Sequence, residues 1–268
     1  RALQLYNDDT DLELWQKYGV EPKSQSLFLM SHVLSFCGRS EQAVKSCIQA
    51  EEWARKSGCS MSIDGCIAYH AMSLFHQQDR HGVLKVTQSV STSIKGVREP
   101  QWLEGYFISL YDWALGISDF SKDFIIGLWK SEGIAGISFW MPTLCEVLVD
   151  KDPMFVIEQS KDTIKKCKEM GQLAAVPLME RNLAVALAES SGKVPDEVSV
   201  SHFREGYALA MEQKAYGIAL DVATHWLECS EGTPFEGEAK ESLKLVINEL
   251  IEGFDTPLYL RSSSLLLA

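Results

Sequence analysis

Residues 23–57 read KSQSLFLMSHVLSFCGRSEQAVKSCIQAEEWARKS, and the fold turns on how this stretch is read. Apolar side chains recur at spacings of three and four on both sides of Cys37-Gly38-Arg39. That periodicity predicts two helices, near 23–37 and 40–57, hinged at a glycine. Gly38 suits the hinge because a residue without Cβ enters a tight turn at little steric cost. Five residues on, Ala43 is small enough to let the two helices approach. Cys47 and Ala50 continue that stripe, and Trp53 closes it one turn later.

Moving outward, the same break recurs at Gln77-Gln78-Asp79 and at Ile117-Ser118-Asp119, a step of 40 residues each time. In the second pair Val83 stands where Ala43 stood; in the third, Asp123 takes that place and breaks the pattern. Further helices are expected near 60–77, 80–95, 100–117, 120–132, 137–149, 153–170, 172–190, 196–213, 215–230, 235–253 and 256–267. Asp152 ahead of Pro153 reads as a cap and first turn. Pro142 and Pro177 fall inside expected helices, which must start late or kink there.

Strand-like alternation is scarce. The expectation is therefore all-α: a tetratricopeptide-like solenoid of helical hairpins wound as a right-handed superhelix. A period of 40 exceeds the ~34 residues of the standard repeat, so each helix gains about a turn. One domain spanning 1–268 is the economical organisation. Two subdomains meeting near Gly133-Ile-Ala-Gly136 form the alternative.

Composition narrows the function classes. Apolar residues make up 46%, enough for a sizeable core, and 37 acidic against 25 basic side chains give a formal charge of −12. Such a surface repels phosphate backbones and argues against nucleic acid as a partner. No apolar run approaches the roughly 18 residues of a membrane span. The seven cysteines are odd in number and none stands as C-x-x-C, which predicts reduced thiols in a cytoplasmic protein. The chain opens at Arg1 without Met and reads as a piece of something longer.

Two end motifs carry a resemblance. Ala2-Leu3-Gln4-Leu5-Tyr6, then Tyr18-Gly19 with an acidic residue and Pro22, then a pair turning at Gly38, opens the chain. Glu252-Gly253-Phe254-Asp255-Thr256-Pro257-Leu258 closes it. Together these resemble the C-terminal tetratricopeptide-like region of bacterial multidomain signalling proteins. In those, a class III adenylate/guanylate cyclase or a DNA-binding domain precedes a predicted AAA-type ATPase and then the helical array. The resemblance implies cytoplasmic signal transduction and transcription regulation, with nucleotide chemistry upstream of Arg1. Residues 258–268 depart from it, being apolar and serine-rich where the family has a polar-acidic helix.

Chemistry-bearing motifs are sparse. Neither a P-loop nor G-x-G-x-x-G occurs, and Ser191-Gly192-Lys193 reads as a plain loop. Among the six histidines none forms H-E-x-x-H; Cys66 and His70, four apart, offer two ligands at most, or simply pack side by side. There is no nucleophile elbow, and Glu51-Glu52 and Glu249/Glu252 fall on faces expected to be solvated. No catalytic residue, cofactor or metal is therefore expected.

The aromatic cluster Trp102, Tyr106, Phe107, Tyr111 and Trp113, followed by Trp129, Phe139 and Trp140, fits either a core stripe or a groove. Projecting the repeat places Phe28, His32, Ser35, Met72, Phe75, Asp112 and Met141 on the inner face, where such arrays hold peptides. The expected role is a non-catalytic sensor or interaction module taking a peptide, a protein or its own upstream domains. Alternatives are a dimerisation scaffold for an upstream cyclase and a hydrolase with scattered site residues.

Overall fold

A computed structural model describes residues 2–8, 10–91, 101–116 and 137–267. The protein is all-helical, with no strand among the described residues. After single turns at Ala2–Leu5 and Trp15–Tyr18 come α1 (Pro22–Phe36), α2 (Ser40–Ser57), α3 (Ser60–His76), α4 (Arg80–Ser91) and α5 (Gln101–Leu115). Then follow α6 (Ile137–Leu148), α7 (Pro153–Met170), α8 (Val176–Ser190), α9 (Glu197–Glu212), α10 (Tyr216–Ser230), α11 (Glu236–Glu249) and α12 (Pro257–Leu267). The helix expected at 120–132, the break near 133–136 and Asp123 lie outside the described residues.

Helix starts follow local chemistry. The Glu21 carboxylate accepts from the Lys23 and Ser24 amides, and Pro22 takes the first turn of α1, where no amide hydrogen is needed. Asp152 caps α7 by accepting from Phe155 N at 3.0 Å, as its sequence position implies. Pro177 is accommodated by a late start: a 3-10 turn at Leu173–Ala175 precedes α8, which begins at Val176. Pro142 instead stays inside α6, and its carbonyl accepts from Asn182 Nδ2 at 2.8 Å.

Turn positions forty apart behave alike. Gly38 has φ +73° and Gln78 has φ +58°, so both hinges pass through the left-handed region, the second with a side chain attached. Ala43 and Val83 are both fully buried in the helices that follow. In α2 the stripe Ala43, Cys47, Ala50, Ala54 has no exposure at all.

Packing runs between neighbours. Consecutive helices pack against each other, and α1, α3, α5, α6, α8, α10 and α12 also pack in succession against one another. Buried apolar groups follow chain order too, from Leu27–Cys66, through Ile67–Ala114 and Met141–Ala186, to the Trp226 cluster. No described helix is long and apolar enough to cross a membrane.

One set of contacts breaks this order: α10 packs against α1 and α3, joining the two ends of the succession. The approach is backbone to backbone. A Cβ on Gly217 would lie 2.3 Å from the Ser35 carbonyl oxygen and 3.0 Å from Gly38 N. Around this seam the Leu258 amide donates to the Gln77 carbonyl at 3.0 Å, and Gln42 donates twice to the Glu252 carboxylate at 3.1 and 2.8 Å. The last helix of the chain is thereby tied to the second hairpin.

Candidate functional site

Charged residues from three of the inner helices, α6, α8 and α10, come together, with Gln78 beside them. Arg181 of α8 is almost fully buried and donates from Nη2 to Glu146 Oε2 of α6 at 2.6 Å. Its Nη1 lies 3.2 Å from Asp221 Oδ2 of α10. Gln78, just past α3, donates to the other Glu146 oxygen at 2.9 Å. His225 Nδ1 sits 2.9 Å from the Asp221 carbonyl and 3.3 Å from its carboxylate.

Burial alone would raise the Asp221 carboxyl, yet the Arg181 guanidinium and then His225 hold it well below the usual carboxylate range. Burial likewise works against the Arg181 charge, and Asp221 and Glu146 more than restore it. The cluster is thus a charged set in which both Glu146 oxygens accept hydrogen bonds and Asp221 Oδ2 faces the guanidinium, while Asp221 Oδ1 and Arg181 Nε are buried without a hydrogen-bond partner among the described residues. Removing one member leaves a buried charge uncompensated.

His76 lies against this cluster. Its ring meets Phe36 edge-on at 5.2 Å, and its Nε2 is buried with no hydrogen-bond partner among the described residues. Burial lowers its pKa to about 4, against the pull of Asp221 and Glu146, so the imidazole is neutral near pH 7.

Beside the cluster opens a cavity of about 450 Å³. The C-terminal ends of α5, α6, α8 and α10 converge on it, at Gly116, Asp150, Glu189 and Glu228. Arg80 stands at its edge, its guanidinium 4.7 Å from the Trp113 ring centroid and donating to the Trp113 carbonyl at 2.8 Å. Cys229 also lines it, but burial and then the Glu228 charge push that thiol up to about 12, so it stays protonated and is a poor nucleophile. The cavity offers charge recognition; the buried carboxylates beside it are already committed to a guanidinium.

The seven residues projected onto an inner groove are placed differently. Phe28, Ser35, Met72, Phe75 and Met141 are buried. Phe28 stacks on Tyr69 at 4.5 Å, Ser35 Oγ meets Ser73 Oγ at 2.5 Å, and Phe75 packs edge-on against Trp113 at 4.7 Å. These five fill joints between successive inner helices, so they do not line an open groove. The reason is that the inner face is covered by the next helix and by the closing α10. Asp112 is half-buried. His32 borders an open space, a cavity of about 380 Å³ shared with Phe36 and residues 171–175. Trp113 and Phe107 are core, while the side chains of Trp102, Tyr106, Trp129, Phe139 and Trp140 lie outside the described residues.

Sequence reading passed over Arg181, Glu146, Asp221 and Gln78. A signal was present in VPLMERNLAVALAES, residues 176–190, where Glu180-Arg181-Asn182 interrupts an otherwise apolar helix. All three are at most 2% exposed, so each had to find buried partners.

Cys66 and His70 are not brought together with a third ligand. Among the described residues the grouping that comes nearest to a metal set is Glu180, His202 and Glu205, with ligand atoms within 4.8 Å of one another. Lys168 bridges the two carboxylates and His202 Nδ1 lies 2.7 Å from Glu180, so the protein's own cation already balances them. All seven thiols are free. Compared with known proteins, the chain matches no family model and no curated protein.

Proposed function

We propose that the chain is a tetratricopeptide-like solenoid acting as a non-catalytic sensor and relay in a cytoplasmic bacterial signalling protein. Its input is a peptide, a protein or its own upstream domains. Its output is a change in how the two ends of the helical array meet.

The observation that carries this reading is the seam. An array in which helices touch mainly their neighbours transmits small rotations along its length. Here the ends also touch, through backbone contact at Gly217 and through polar bonds at Gln42 and Gln77. A ligand that favours either the closed or the parted arrangement shifts the population between them only by its differential affinity. Two arrangements with different end-to-end geometry are what an attached domain needs in order to sense occupancy.

The test compares wild type with Gly217→Ala, whose added methyl parts the seam. Fluorescence anisotropy measures binding of a peptide library and of separately expressed upstream domains to each. A relay requires at least one partner whose affinity differs between the two proteins. Partners that bind both equally, or no partner at all, would refute the reading.

A further inference from the structure

The cavity at the converging helix ends has a charge pattern of its own. Asp150, Glu189 and Glu228 all line the cavity together with Cys229, and each acts electrostatically on its thiol. Helix C-termini add partial negative charge there, which favours a cation. Against them stand Arg261, bound through two nitrogens to Glu228, and Lys193, which is 79% exposed and only within 3.7 Å of Glu189. Asp150 has no ion pair among the described residues.

Opposite charge comes from the residue directly after Asp150 and from α4. Lys151 follows α6 and Arg80 begins α4; both line the cavity, and neither is paired with a carboxylate among the described residues. Between them, Val147, Val149, Val185 and Ala188 supply an apolar floor. A volume of about 450 Å³ is in the range of small-molecule sites.

We propose that this cavity binds a free basic amino acid, its guanidinium or ammonium at Asp150 and Glu189 and its α-carboxylate at Lys151 and Arg80. The protein already displays the same pairing internally, a guanidinium held by Glu228 from Arg261 and another held by Glu146 from Arg181. The aliphatic stem of such a ligand lies along the valines. This deepens the sensor reading by naming its input and rests on that reading only for its purpose, since binding is measured directly.

Isothermal titration of the whole chain with L-arginine, agmatine and glutarate tests it. L-Arginine binds saturably, agmatine binds more weakly for want of a carboxylate, and glutarate does not bind. Glu189→Gln combined with Asp150→Asn weakens arginine and agmatine by about tenfold or more, the loss of charge-assisted bonds. Lys151→Met weakens arginine and leaves agmatine unchanged. Melting temperatures within about 2 °C of wild type establish that the variants fold, as expected for partly exposed side chains.

Absence of saturable heat for both arginine and agmatine overturns the proposal. So does glutarate binding in their place, or arginine binding that the acidic variants leave intact. If arginine fails here while Gly217→Ala still alters peptide or domain binding, the relay stands and only the input is wrong.

Discussion

Replacing Gly217 by alanine adds a single carbon at the place where α10 meets α1. That carbon would sit 2.3 Å from the Ser35 oxygen, 3.0 Å from Gly38 N and 3.2 Å from Gly38 Cα. Ordinary contact begins near 3.4 Å, so the helices must part by about 1 Å, and the obstructing atoms are backbone that no rotamer change can move. Overpacking of this kind costs about 1–3 kcal/mol. Alanine returns up to about 1 kcal/mol of helix propensity, leaving a net loss of about 1–2 kcal/mol. For a chain of this size that lowers Tm by about 2–8 °C. Gly237 in α11 provides the control: a Cβ there meets nothing within 4 Å, so Gly237→Ala is neutral or stabilising. Urea denaturation gives the stabilities, and small-angle scattering reports whether the Gly217 variant has expanded. A Gly217→Ala protein as stable and as compact as Gly237→Ala would refute the closed-seam reasoning.

Other perturbations probe the interior. Arg181→Leu strands Glu146 and Asp221 in a buried site and costs about 3–5 kcal/mol, and adding Glu146→Gln and Asp221→Asn recovers part of that loss; urea midpoints decide both. His76, held near 4 in the fold against an ordinary 6.5, makes the unfolded chain the better proton binder between those values. Stability is therefore full above about pH 6.5 and declines as pH falls toward 4, by about 3 kcal/mol from this residue. His76→Gln should reduce that slope, leaving the shares of His32, whose burial lowers it to about 3, and of His70, which burial also lowers. Burial raises the Cys47 and Cys145 thiols to about 12, so at pH 8 Ellman's reagent should reach the half-buried Cys37 first and Cys229 more slowly. Rapid labelling of the five buried thiols before unfolding would contradict the packing.

The helical course of the chain was legible because it is local. A 3.6-residue rhythm, a cap at Asp152 and hinges forty residues apart at 38 and 78 act within a turn or two of themselves. The burial of Ala43 and Val83 at matching positions follows from the same register. The seam was not legible, because Gly217 differs from other glycines only through what Ser35 and Gly38 do to it from far along the chain. The inner-face projection reads one face of each helix and carries no information on what covers it; Met72, Phe75 and Met141 are buried in the core. The charge cluster lies between these cases. Its central Arg181 was visible as a polar interruption, whereas its partners come from α6 and α10 and share no local pattern.

The bond from Leu258 to Gln77 and the paired bonds from Gln42 to Glu252 act as a clasp. An unclasped row of hairpins frays from whichever end is weaker, losing one unit at a time. A clasped row must surrender its first hairpins and α12 in the same event, because Gln42 and Gln77 are bonded to Glu252 and Leu258. Slow amide hydrogen exchange in those outlying helices, matching that of α8, would be the signature of a necklace that opens at its fastening or not at all.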